Sequence, residues 1–165
     1  MVRLLSILPA ITFCFVALGA EGAQVCREDI PATAPDSRFQ DNDDGTVTDL
    51  ATGLIWKQCA AGLSGADCST GSPSSFTWQL ALQHAADNPP WRLPNEHELA
   101  SLVERRCFDP AINTTYFPST PSADFWSSSP DSFYLDAWRI DFYSGVLGIS
   151  LKSSAKPVRL VRDGP

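Results

Sequence analysis

The stretch DGTVTDLATGLIWKQC, residues 44–59, constrains the fold of this chain more than any other. Asp-Gly supplies the positive φ of a tight turn, and Thr, Val, Ile and Trp suit a pleated, half-buried surface. A hairpin turning at Asp43-Asp44-Gly45 therefore places Thr46–Asp49 and residues 52–58 in strands. Helix signals come next. Thr77 caps a helix in which Trp78, Ala81, Leu82 and Ala85 share one apolar face at i, i+3, i+4, i+7. Asn88-Pro89-Pro90 stops it, and Trp91-Arg92-Leu93-Pro94 leads into a second helix. There Asn95 and Glu98 form a capping box, and Leu99, Leu102 and Val103 face the core. A long Pro- and Ser-rich stretch with Phe108, Tyr116 and Phe117 as anchors follows, and Phe125-Trp126 opens a strand. Residues 136–142 alternate, with Trp138, Ile140 and Phe142 on one face. Tyr143-Ser144-Gly145 turns, residues 146–152 return, and residues 157–162 close the chain. Strands, two helices, a long loop and strands again predict an α+β fold with helices against a mainly antiparallel sheet.

Four segments stand in a fixed order: DGTVTDLATGLIWKQC (44–59), WRLPNEHEL (91–99), FWSSS (125–129) and VRLVR (158–162). Together they resemble the Lcl carboxy-terminal domain family, named for a bacterial collagen-like adhesin, over residues 38–164. The resemblance implies a C-type-lectin-like fold, in which the two termini meet in the sheet and loops between later strands build the ligand surface. It also implies a binding role in attachment, recognising a surface glycan or an envelope protein; the adhesin precedent includes glycosaminoglycan binding and trimeric assembly. Gly-x-y triplets are absent here. The collagen stalk that accompanies trimers is thus missing, and a monomer or weak oligomer is expected. A structural accessory subunit of an envelope or pilus-like assembly is the alternative role.

The start of the chain reads as an export signal over residues 1–23. Arg3 precedes an apolar run over residues 4–18, with small residues around Ala20 and Gly22. That run is short for a membrane span, so no membrane insertion is expected after cleavage. Residues 24–37 read as an extended arm and residues 38–164 as one domain, exported to the periplasm or beyond. Cys14 leaves with the signal, and Cys26, Cys59, Cys68 and Cys107 remain as an even set. In an oxidising compartment they form two disulfides, for which three pairings exist. Cys59–Cys68 is preferred because the Gly-containing AAGLSGAD between them brings its ends together easily, which leaves Cys26–Cys107. Neither a Cys-x-x-Cys nor a Cys/His cluster suggests redox or metal chemistry.

Charge narrows the partners. Lys and Arg number 12 against 19 Asp and Glu, a net charge of −7, which repels nucleic acid and anionic membranes. The cluster Asp41, Asp43, Asp44 and Asp49 fails the spacing of a calcium loop, because Gly45 and Thr52 fall where ligands are needed. These aspartates read as turn residues. Lectin-type calcium motifs are broken twice, at Leu93-Pro94-Asn95-Glu96 and at Trp126-Ser127-Ser128, so no metal and no cofactor are expected. His84 and His97 have no nucleophile motif nearby, and Glu96 and Glu98 diverge on a helix, which argues against an enzyme. Formylglycine-generating enzymes of the same broad fold use paired cysteines late in the chain, and none follows Cys107. Two regions remain as binding candidates. One is the loop region 109–134, with Tyr116, Asp131, Phe133 and Tyr134. The other is basic, with Arg139, Lys152, Lys156, Arg159 and Arg162; a solvated strand face with acidic partners is the weightier reading of it.

Overall fold

The computed structural model describes residues 23–132 and 134–165, so the expected export signal, but for Ala23, and Phe133 lie outside the described residues. The first strands are β1 (Val25–Cys26), β2 (Phe39–Asp41), β3 (Thr46–Asp49) and β4 (Leu54–Lys57). Three two-residue strands follow, β5 (Leu63–Ser64), β6 (Thr70–Gly71) and β7 (Ser75–Phe76), and then the helices α1 (Trp78–Ala86) and α2 (Glu96–Ser101). β8 (Cys107–Phe108) opens the long loop. β9 (Asp124–Pro130), β10 (Asp136–Asp141) and β11 (Val146–Leu151) make a meander, and β12 (Lys156–Pro157) and β13 (Val161–Asp163) end the chain. This is the expected α+β arrangement of antiparallel sheets and two helices.

The larger sheet runs β13-β4-β3-β2, all antiparallel. Val161 stands opposite Trp56, so both ends of the domain meet in one sheet. Its two turns carry positive φ, at Gly45 (77°), where the sequence places it, and at Gly53 (74°). The second sheet runs β11-β10-β9.

Helix entry is governed by local hydrogen bonding. Asn95 Oδ1 accepts from the His97 and Glu98 N–H groups, both at 2.9 Å, and Glu98 Oε2 accepts from Asn95 N–H at 2.8 Å. The capping box is complete. Thr77 holds the N-cap position of α1 but makes no side-chain bond. The Trp78 N–H donates instead to Lys152 O at 3.0 Å, so the strand-rich end of the chain satisfies the helix start. Arg92 is held by Glu98 and Asp163, each at 2.7 Å, a scaffold role.

Between the sheets and α2 lies a core of Phe39, Val47, Trp56, Leu99, Leu102, Phe117, Phe125, Ile140, Phe142 and Val161. Each large apolar side chain buried there contributes about 1.5–3 kcal/mol. A second cluster, with Ala81, Ala85, Leu93, Trp126, Val158 and Leu160, lies under α1. The register of β10 with β11 is unbroken, so Trp138 and Ile140 lie on one face as expected, Ile140 fully buried and Trp138 half-buried. Ala137, on the other face, is also fully buried, in the second cluster with Trp126, and opposite it β9 bulges, taking four steps from Trp126 to Pro130 where β10 takes two from Arg139 to Ala137. The bulge turns Ser127 toward Trp138, whose carbonyl accepts its hydroxyl at 2.8 Å.

The arm is bound closely to the domain. β1 pairs with β8, the Cys26–Cys107 bridge lies within that pair, and Ala34 is buried in the core. Cys59–Cys68 is the second bridge, so both preferred pairings are formed. Among the described residues, no helix is long and apolar enough to cross a membrane.

Candidate functional site

Alternation in β4 sets the site. Trp56 points into the core, so Lys57 faces the other side of the sheet, opposite Thr46 and next to the 41–45 turn. There a cleft of about 800 Å³ opens. The turn residues Asp41, Asp43 and Asp44 make one lip, and the disulfide-closed loop at Leu63, Ser64 and Gly65 makes the other. Ala60, Ala61 and Leu160 give an apolar floor; His84, Pro89 and Trp91 form a wall.

Each lip is held by its own bonds. Asp41 Oδ1 accepts from the Asp43 N–H at 2.9 Å, and Asp44 Oδ1 accepts from the Thr46 N–H at 3.0 Å. These are the turn roles expected of the aspartates. No group of three His, Cys, Asp or Glu residues among the described residues is arranged to hold a metal ion. The second lip is stapled by Cys59–Cys68 and packed so closely that a Cβ on Gly62 would stand 2.4 Å from Ser72 O. On the wall, Lys57 Nζ lies 4.4 Å from the Trp91 ring centroid; the Arg162 guanidinium lies 5.3 Å from the same centroid but does not line the cleft. Neither cation has a carboxylate within ion-pair distance among the described residues. His84 stacks on Phe76 with 4.7 Å between ring centroids. An acidic lip, a cationic aromatic wall and an apolar floor make a recess able to hold a polar ligand with an apolar face.

The residues singled out in the sequence lie mostly elsewhere. Tyr116 is half-buried, 5.5 Å from Phe39. Asp131 is half-buried, its N–H donating to Asp136 O at 3.1 Å. Tyr134 is 91% exposed, and Lys152 Nζ donates to its carbonyl at 2.9 Å while lying 4.8 Å from the Trp78 ring centroid. Arg139 pairs with Asp124 at 3.0 Å, and Lys156 binds the same carboxylate at 2.8 Å. Among these candidates Tyr134 and Lys152 come together, as do Arg139 and Lys156 on the shared Asp124 carboxylate.

Arg159 needs a correction. It is 0% exposed, donating to the carbonyls of Lys57 and Gln58 and to Thr120 Oγ1 at 2.7 Å, with Phe117 4.9 Å away. Burial pushes its pKa down to about 9. It ties the floor of the cleft to the long loop and takes no part in a surface patch. The cleft residues Lys57, His84 and Trp91 escaped the sequence reading because each sits inside a strand or helix signal that core packing already explained.

The model of the family described as the Lcl C-terminal domain matches residues 45–162. No curated protein matches the chain.

Proposed function

The chain belongs to the Lcl C-terminal domain family, and from that premise we propose an exported bacterial binding domain that recognises a surface glycan or protein in attachment, without an enzymatic step. The cleft between the 41–45 turn and the disulfide-closed loop carries this reading, because it combines a preformed shape with polar groups on two sides of an apolar floor. Two disulfides fit an oxidising compartment. Three aspartates on the lip disfavour sulfated glycans and leave neutral glycans as the favoured ligands.

The test is a glycan array at two salt concentrations, followed by ¹H–¹⁵N shift mapping with any glycan that binds. Binding insensitive to salt, with shifts at the Trp91 indole N–H and at Gly45, is expected. Lys57→Ala should weaken it about tenfold. Binding that leaves both signals unmoved would place the ligand elsewhere and overturn the cleft assignment. The accessory-subunit reading is favoured by a different observation: the apolar residues Val146, Leu147, Ile149 and Leu151 of β11 are exposed on the edge of a sheet.

A further inference from the structure

Exposed apolar side chains are concentrated on one side of the domain. Eight of the eleven large apolar residues that stand exposed among the described residues lie along β11 or at its two ends: Phe108, Tyr134, Leu135, Tyr143, Val146, Leu147, Ile149 and Leu151. Tyr143 occupies the β10–β11 turn and has Phe108 against it at 6.4 Å. Leu135 accepts the Lys152 N–H at 2.8 Å, which extends the band past the other end of the strand. β11 has a strand neighbour on one side only, and residues 143–151 carry no charge. Strand edges in soluble proteins are ordinarily guarded by Lys, Pro or a bulge. This one is unguarded.

We propose that β11 pairs antiparallel with β11 of a second copy about a two-fold axis through Ile149, joining two three-stranded sheets into one of six strands. The strand itself argues for a second copy. Its polarity reads the same in both directions from Ile149, as Leu147-Gly148-Ile149-Ser150-Leu151. Pairing about that residue sets Ile149 against its own mate, Leu147 against Leu151, and Gly148 against Ser150. Apolar meets apolar on one face and small meets small on the other.

On the small-residue face, Gly148 leaves room for the Arg139 guanidinium, whose Cζ lies 3.2 Å from where a Cβ would stand. Arg139 is in turn neutralised by Asp124. Each copy carries a net charge of −7, so two copies repel wherever acids face one another. The uncharged run of residues 143–151 is where they approach without that cost. Five paired residues span about 17 Å, and the contact falls short of the roughly 1,200 Å² typical of stable interfaces. The dimer therefore assembles in the micromolar range or above, whatever occupies the cleft.

Sedimentation equilibrium of the oxidised, exported chain, from about 1 µM to about 1 mM, should show a monomer–dimer equilibrium. Ile149→Lys sets two ammonium groups opposite one another and should weaken association at least about tenfold. Its melting temperature, measured alongside, checks that the exposed substitution leaves the fold intact. Ile149→Glu should do the same alone, and an equimolar mixture of the two variants should restore a dimer, because position 149 pairs with itself only in this register. A monomer throughout the range, a trimer, a dimer indifferent to Ile149→Lys, or a mixture that stays monomeric would each overturn the pairing.

Discussion

Glu104→Gln tests how the amino-terminal arm is held. The carboxylate is 3% exposed and faces backbone donors almost alone. Its Oε1 accepts from the Thr33 and Arg106 N–H groups, each at 3.1 Å, and its Oε2 accepts from the Ala34 N–H at 2.9 Å. A glutamine oxygen can replace Oε1 and keep the first two bonds in neutral form, each weaker by about 0.5–1 kcal/mol. Its amide nitrogen then faces the buried Ala34 N–H, donor against donor, and orphaning that group costs about 1–3 kcal/mol. The sum is about 2–5 kcal/mol, to be read from urea unfolding of the oxidised protein at neutral pH.

The same site carries a pH signature. Burial alone would raise the Glu104 pKa, but the N–H groups of Ala34, Thr33 and Arg106 and the Arg106 charge outweigh it and hold the carboxyl below its ordinary range. A depressed folded value means the stabilisation is present above the unfolded pKa and is lost as pH falls through the folded one. The difference between parent and variant should therefore shrink below about pH 4. A variant within 0.5 kcal/mol of the parent at neutral pH (about the scatter of a surface substitution), or a gap unchanged at pH 3, would refute the reasoning.

Asp49 accepts from Arg38, Thr52 and the Ala51 N–H while fully buried, and Asp49→Ala should cost about 3–5 kcal/mol by stranding the Arg38 guanidinium. Urea unfolding checks this, and Arg38→Met in the same chain should recover part of the loss. Burial raises the Asp49 pKa, but the Arg38 and Thr52 hydrogen bonds and the Arg38 charge more than offset that, so its contribution too disappears on acidification. Replacing Cys59 and Cys68 by Ala opens a short loop and should cost about 2–3 kcal/mol. Thermal melting measures the loss, and limited proteolysis should then cut between residues 59 and 68, where the oxidised parent resists.

Local chemistry made the scaffold legible. The Asp-Gly turn, the Asn95–Glu98 box and the Leu99, Leu102 and Val103 face each depend on neighbours a few residues away, and each formed as the sequence predicts. The preferred disulfides formed for a related reason, since Cys59 and Cys68 are close along the chain and only one pair then remains. Long-range features were not legible. The β9 bulge is set by how far apart two strands are pinned, and the burial of Ala137 by the cluster under α1 on the second face of β10, neither of which an alternation pattern encodes. Arg159 and Arg162 look alike in VRLVR, yet one is enclosed by carbonyls and the other lies over Trp91. An odd spacing of three in an extended chain turns them to opposite sides.

The same distinction bears on what family membership says about ligand. The four ordered segments supply Trp56, Leu93, Phe125, Trp126, Val158 and Val161, all buried, so what they identify is chiefly packing. Asp41, Asp43 and Asp44 precede residue 45, where the family match begins, and they form the whole acidic lip of the cleft. Lys57 and Trp91 on the wall lie inside the matched span. The lip carries the charge that opposes Lys57, and Asp43→Asn, which the φ of 58° at that position accommodates, should shift preference toward anionic glycans on the same array without lowering the melting temperature.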